Sequence, residues 1–500
     1  MATHKRTRTG CWTCREAGYK CDEQKPFCGR CIRLKITCKG YGIKLKWQDD
    51  GATTQAKPAR QPRKHKTIGA TSTASPESIG SFSSSPYTFG TPSELTSSPE
   101  STFSLPVVPL INLTRAPDLS SNDRWLLHYW VAELSSVISM APRNGHNSPF
   151  QVYLTSMAYE SAALRSTILS MAANHLAQAS NDSSLRWQGY RYQRDAIHEL
   201  QRVLQDPHDS DFEPALATVL MMQMSARLFS DEDDANVVNH LMGAKAMITR
   251  HETPTKQSST SSTQFLLSLF AYHDILSSVS RGSRPLADHE ANFVAVEGDR
   301  DMESIANVLL VVARISNLQT TIKERRSISN EHALTEAEDA TGRMLQQTLL
   351  NLNFGPPSHS GANDVRTTAE AYRHAAFIYL YRTWLDVGAP NLISMDHVTQ
   401  CLRNIEQVDT TSPLTTSHVW PLFTAGCEAI DVSQRDFVRT RFEEMYTTRR
   451  FPNLRRVIRD IEDVWHAKDL EQKMEGQDGM AKVDCIQVIL RRRGREVDLI

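Results

Sequence analysis

Six of the nine cysteines in this 500-residue chain crowd into its first 38 positions, as Cys11, Cys14, Cys21, Cys28, Cys31 and Cys38. The spacing is C-x2-C-x6-C, six residues, and C-x2-C-x6-C again, so the second half repeats the first at an offset of 17. A two-residue gap lets a pair of thiolates converge on one ion from a single turn, and a third cysteine six residues on closes the site after a short helix. Tetrahedral zinc takes four ligands, so two ions require eight ligand positions, and six sulfurs supply them only if two sulfurs bridge. The symmetry of the repeat singles out Cys11 and Cys28 as the bridges. The chemistry expected here is structural metal binding, with two zinc ions as the cofactor. Spacing alone leaves a second reading open, a cytosolic zinc- or redox-handling protein with a helical interaction domain.

The charge around these cysteines says what such a head meets. Residues 1–66 carry 17 Lys and Arg against 5 Asp and Glu, leaving 39 against 52 in the remainder, although the whole chain sums to -1. A basic head on an acidic body points to a polyanionic partner for the head alone. Six thiolates and two zinc ions sum to -2, which the 12 basic and 3 acidic side chains of residues 1–48 outweigh. The N-terminus has no apolar signal core, and no uncharged apolar run approaches the roughly 20 residues that span a bilayer. The chain is therefore expected to be soluble and intracellular, with no membrane partner. Two further basic runs, Lys5-Arg6-Thr7-Arg8 and Arg63-Lys64-His65-Lys66, read as phosphate contacts or nuclear import signals.

The stretch GCWTCREAGYKCDEQKPFCGRCIRLKITCKGYGIKLKW resembles the fungal Zn(2)-C6 zinc-cluster transcription factors, with Arg15 after the second cysteine, Lys20-Cys21-Asp22, and Lys25-Pro26 between the halves. The resemblance implies a nuclear, sequence-specific factor regulating RNA polymerase II transcription, whose first and fourth cysteines bridge and whose first short helix enters the major groove of double-stranded DNA. It implies phosphate contacts for Arg15, Lys20 and Lys25, and base readout through Tyr19, Lys20 or backbone groups. One departure matters. Family members often place two basic residues midway between the second and third cysteines, where this chain has Ala17 and Gly18. Neither offers a side-chain donor to guanine N7 and O6, so recognition of the CGG triplets common in the family does not carry over.

Something must carry and regulate this head. From Thr71 to Pro106, 23 of 36 residues are Ser, Thr or Pro, and Glu77, Glu94 and Glu100 are the charged ones. That composition buries too little apolar surface to offset chain ordering. Residues 49–118, with their basic segment 57–66, are accordingly read as a disordered linker; Ser75, Ser85, Thr91 and Ser98 each precede a proline there. Beyond it, Leu127, Trp130, Val131, Leu134, Val137 and Ile138 recur at the spacing of one helix face. So do Leu164, Ile168, Met171 and Ala172, then Ile305, Val308, Leu309, Val312, Ile315 and Ile322, and finally Val457, Ile461, Val464 and Trp465. Asn122 or Asp123 is the expected cap of the first helix, and polar loops are expected near 251–263 and 353–364.

The expected fold is thus mainly α: a zinc-cluster DNA-binding domain over 1–48, the linker over 49–118, and an all-α regulatory domain over 119–500. The segments WLLHYWVAEL, YHDILSSVSRGSRPL, AAFIYLYR and WPLFTAGCEA are similar to the helical regulatory region of one branch of the family, which includes arginine-metabolism regulators. No sustained heptads follow the cluster, which leaves a monomer or a homodimer through the helical body, with the transcription machinery as further partner. An enzyme is not expected. His128, His273-Asp274, the run Asp231 to Asp234, Cys401, Cys427 and Cys485 lack catalytic spacing; the histidines read as hydrogen-bonded core or boundary residues, the acidic run as a solvated loop or helix start, and Cys427 as a small buried hydrophobe.

Overall fold

The computed structural model describes residues 11, 13, 14, 19, 21, 22, 28–34, 36 and 38 of the head, and residues 119–139, 148–205, 211–229, 239–251, 260–289, 300–329, 332–355 and 362–499 beyond it. The chain divides into two units, Met1–Phe103 and Ser104–Ile500, each with its own core. The division falls inside the stretch read as linker, which lies outside the described residues, as do both flanking basic runs.

In the first unit the described regular element is α1 (Gly29–Arg33), a short helix whose N-cap is Cys28. The described residues of the second unit are mainly helical, and no strand occurs among the described residues. Its first helix, α2 (Ser121–Tyr129), corrects one expectation: the cap is Ser120, not Asn122 or Asp123. Ser120 Oγ accepts from the Asp123 amide at 3.1 Å, and the Asp123 carboxylate accepts from the Ser120 amide at 3.3 Å, a reciprocal capping box. Asn122 instead donates to Gln188 and to the Tyr192 hydroxyl, both at 3.1 Å. The helix continues through a widened turn at Trp130–Leu134. Leu127, Trp130, Leu134 and Ile138 are buried as the periodicity requires, and Val131 and Val137 are half-buried.

α3 (Thr155–Glu160) leads into α4 (Ala162–Ser180), capped by Ser161 and ended by Asn181 in the left-handed conformation. Leu164, Ile168, Met171 and Ala172 are buried, but so are Ala163, Thr167, Leu169 and Ser170. α4 is therefore enclosed on more than the one face its stripe implied. It packs against α5 (Ser183–Gln205) and α6 (Phe212–Phe229). α7 (Leu241–His251) and α8 (Ser261–Arg281) follow. Thr260 caps α8, so helix already begins inside the stretch expected as a loop.

α9 (Arg300–Ser329) is long and, over Glu303–Ser329, apolar enough to cross a membrane by length and composition. Ile305, Val308, Leu309, Val312, Ile315 and Ile322 are all buried in the core of this unit, against α11 (Ala362–Trp384) and α10 (Glu336–Asn351). The same test is passed by a core helix of this kind, and its buried stripe makes it one. α11 begins at Ala362, again inside an expected loop, and packs on α12 (Leu392–Glu406) and α13 (Val419–Glu428). α14 (Val432–Arg449), α15 (Pro452–Ala481) and α16 (Cys485–Arg493) complete the array. Val457, Ile461, Val464 and Trp465 of α15 are buried, and Trp465 Nε1 donates to the Gly426 carbonyl at 2.7 Å. The segment after α16 closes back on the body. Asp498, itself buried, pairs with Arg456 at 2.9 Å and Arg227 at 3.3 Å, and Val497 and Leu499 join the core.

One glycine shows how tightly α10 and α11 meet. A Cβ on Gly342 would lie 2.4 Å from the Trp384 ring. That indole cannot swing away freely, because its Nε1 donates to Asp339 at 2.9 Å. In Gly342→Ala, overpacking costs about 1–3 kcal/mol, against about 1 kcal/mol gained from helix propensity. A net loss of stability, read as a lower denaturation midpoint, is the expected result; an unchanged or raised midpoint would show that the contact is soft.

Candidate functional site

The sulfur cluster is held by its own backbone. Cys28 Sγ accepts from the Cys31 amide at 3.3 Å, and Cys11 Sγ accepts from the Cys14 amide at 3.4 Å, the same bond displaced by 17 residues. The turn that follows is repeated too. The Tyr19 amide donates to Cys14 O at 2.9 Å, and the Ile36 amide to Cys31 O at 3.1 Å. The pseudo-twofold written in the cysteine spacing is therefore present in the hydrogen bonds. Asp22 joins the halves: its carboxylate oxygens accept from the Gly29 amide at 3.0 Å and the Arg30 amide at 2.8 Å, satisfying donors at the start of α1.

Cys11, Cys14, Cys21, Cys28 and Cys31 are buried, Cys38 is half-buried, and none is in a disulfide. Their sulfurs form two quartets, Cys11-Cys14-Cys21-Cys28 and Cys11-Cys28-Cys31-Cys38, in each of which all sulfurs lie within 4.8 Å of one another. Cys11 and Cys28 belong to both. Four sulfurs about 2.3 Å from a tetrahedral zinc are about 3.8 Å apart. Cys11–Cys28 is 3.6 Å, Cys14–Cys28 3.7 Å and Cys11–Cys31 3.9 Å, so the donor set fits a pair of zinc ions in size and in chemistry. Burial pushes the thiols of Cys11 and Cys31 up, and that of Cys28 to about 12. Positive charge placed among the sulfurs reverses that preference, which is why binding of a metal to thiols releases protons.

Of the residues expected to face DNA, Tyr19 is described and is 61% exposed. Arg15, Lys20 and Lys25 lie outside the described residues, so their placement stays an expectation. The structure adds a residue that motif reading passed over. Arg30, between Cys28 and Cys31, stacks its guanidinium over the Tyr19 ring, 4.0 Å from the centroid, and its Nη1 lies 3.9 Å from Cys14 Sγ. Sequence reading counted Arg30 as one positive charge among many, because its partners lie 11 and 16 positions away and share no motif with it.

Residues 125–499 match the model of the Fungal specific transcription factor domain. The chain belongs to that family. Residues 9–48 match the Fungal Zn(2)-Cys(6) binuclear cluster domain, a domain that binds two zinc ions. Among similar curated proteins, Pestheic acid cluster transcriptional regulator 3 of Pestalotiopsis fici is 53% identical over 51 residues, 10% of this chain and 9% of that protein. Arginine metabolism regulation protein II of Saccharomyces cerevisiae is 52% identical over 42 residues, 8% of this chain and 5% of its own length. Transcription factor dibT of Pestalotiopsis microspora is 24% identical over 273 residues, 48% of this chain and 43% of that one. The chain spans less than a tenth of the length of the first curated relatives it matches. No solved structure matches it.

Of the residues of this family member that invited a catalytic reading, the fold brings the Cys427 and Cys485 thiols together. His128 is exposed on α2 rather than in the core or at its boundary. His273 is fully buried, but among the described residues neither ring nitrogen has a hydrogen-bond partner, which corrects the expectation of a bonded core histidine. Its orphaned imidazole is held neutral by burial, with Arg227 adding to the effect and its pKa lowered to about 3. Asp274 instead accepts from the Leu286 and Ala287 amides at 2.7 and 3.1 Å and meets His289 Nε2 at 2.8 Å, anchoring the chain beyond α8. Cys401 donates to the Ala371 and Pro421 carbonyls from a buried position, Cys427 is buried, and Cys485 is half-buried. The run Asp231 to Asp234 lies outside the described residues.

Proposed function

We propose that this chain is a sequence-specific DNA-binding regulator of RNA polymerase II transcription that acts in the nucleus rather than as an enzyme. The observation that carries the reading is the pair of sulfur quartets sharing Cys11 and Cys28. In it, Cys11 and Cys28 bridge two zinc ions, Cys14 and Cys21 complete one tetrahedron, and Cys31 and Cys38 complete the other. The metal pair holds a cationic surface against the duplex, with Arg15, Lys20 and Lys25 on phosphates and Tyr19 at the bases. Most relatives' names are those of transcription factors or regulators, which supports the assignment. The helical body regulates the head and meets the transcription machinery, and self-association, where it occurs, runs through the body.

The test is electrophoretic binding of the full chain to a pool of duplex DNA, with chelator and with zinc restored. Binding is expected to vanish with chelator and return with zinc, and to fall with salt as counterions are released. In Arg15→Ala and Lys20→Ala the slope of log affinity against log salt should flatten by about one counterion each. Binding that survives chelation overturns the proposal.

A further inference from the structure

The two halves of the head are alike in backbone but not in what they offer to a ligand. At the offset of 17, Ile36 stands where the first half has Tyr19, and Thr13 stands in the place of Arg30. The second half exposes Ile32, Leu34 and Ile36, aliphatic side chains with no hydrogen-bond donor. Arg33 is exposed there too, while the first half exposes the Tyr19 ring, over which Arg30 of the second half packs its guanidinium. The ring and the cation thus form one polar feature built from both halves.

The ring also restrains the cation. Arg30 is held at three points: its amide by the Asp22 carboxylate, its guanidinium carbon over the Tyr19 ring, and Nη1 by Cys14 Sγ. A guanidinium packed against an aromatic ring and tethered at one nitrogen loses rotational freedom, which prepares its remaining N–H groups for a partner. Phosphate contact does not require such preparation, since a flexible cation serves. Two parallel N–H donors held in one plane match the O6 and N7 acceptors of guanine. The segment that would otherwise supply guanine donors has Ala17 and Gly18.

We infer that Arg30, oriented by Tyr19, contacts a guanine edge and sets one base position of the DNA site. Arg30 is the specificity-determining residue and Tyr19 its positioning residue. This rests on the DNA-binding reading above.

The experiment is selection from a random duplex pool by the full chain, followed by affinity measurements on the selected site and on a version altered at its guanines. Wild type, Arg30→Lys, Arg30→Ala, Tyr19→Phe and Tyr19→Ala are compared, each with its zinc content measured. With two zincs retained, both Arg30 variants should bind the selected site about tenfold to a hundredfold more weakly. Their binding to altered sites should change little, and one guanine should drop out of the motif they select. Tyr19→Phe, which removes any base contact of the hydroxyl but keeps the ring under the guanidinium, should keep the guanine preference at that one position, and Tyr19→Ala should blur it. Wild type failing to enrich any motif would instead sink the DNA-binding reading itself. Equal weakening on all sequences with a flatter salt dependence would make Arg30 a phosphate contact and overturn the inference. So would an unchanged motif, or a loss of zinc in Arg30→Lys, which would make the arginine a support of the cluster.

Discussion

Cys11→Ala or Cys28→Ala is expected to release both zinc ions, whereas Cys14→Ala, Cys21→Ala, Cys31→Ala and Cys38→Ala should each retain about one. The asymmetry follows from membership: Cys11 and Cys28 sit in both sulfur quartets, and the other four cysteines sit in one. Loss of a shared sulfur leaves both ions with three ligands, while loss of a terminal one leaves the second tetrahedron complete. Structural zinc contributes on the order of 10–16 kcal/mol to the folding of small metal domains. Among the described residues the core of the head is made of cysteine side chains, whose packing depends on the metal they hold. Duplex binding should therefore vanish in the two bridging variants, and elemental analysis should find well under one zinc per chain. If Cys11→Ala kept as much metal as Cys14→Ala, the bridging assignment would be wrong.

The second large effect is expected far from the metal, at Glu428. This buried carboxylate meets Lys468 Nζ at 2.6 Å and Arg382 Nη2 at 2.7 Å, and accepts from the Ala389 amide at 2.7 Å. Lys468 is itself fully buried. Glu428→Gln keeps the shape and an acceptor but leaves two cations without their counter-charge, a change that costs about 3–5 kcal/mol in buried pairs. Chemical denaturation of the full chain should show that loss in the transition of the helical body. Burial works to raise the Glu428 carboxyl, but Lys468 and Arg382 outweigh it and hold it at about 2, below the ordinary 4.5. A carboxyl depressed on folding stabilises above its unfolded value, and that contribution disappears as pH falls through the folded one. The gap between wild type and Glu428→Gln should thus be constant above about pH 4.5 and close toward pH 2. Asp460 has the opposite sign. Burial raises it to about 6 although Arg495 lies 3.0 Å away, so its contribution grows as pH falls from about 6 toward 3.8. A gap for Glu428→Gln that ignored pH across its window would remove the ion cluster as its source.

Much of the body was legible because helix packing writes itself locally. Every residue of the stripes at 164–172, 305–322 and 457–465 is buried, since neighbours three and four apart share a face whatever lies opposite. The grouping of the six sulfurs into two sets sharing Cys11 and Cys28 was legible for a similar reason: all six fall within 28 residues, and tetrahedral geometry constrains the count. The first cap was missed by two or three residues because Asp123 is the third residue of a capping box, and its own carboxylate serves the Ser120 amide. The ion clusters left no local trace. Glu428 and Lys468 are 40 positions apart, Arg227 and Asp498 are 271 apart, and no periodicity joins them. The Arg30–Tyr19 stack was hidden within a region otherwise read closely, because it depends on how two half-sites fold over one another rather than on either alone.

The long reach of Asp498 bears on how the protein comes into being. During translation all six cysteines of the head are in place once Cys38 has been made, so the head can take up metal soon after its matched stretch, residues 9–48, leaves the ribosome. Arg227 then waits for 271 further residues before its partner exists, on the order of tens of seconds at roughly 5–20 residues per second. Through that interval a DNA-competent head would be joined to a regulatory body whose final clasp has not yet been made.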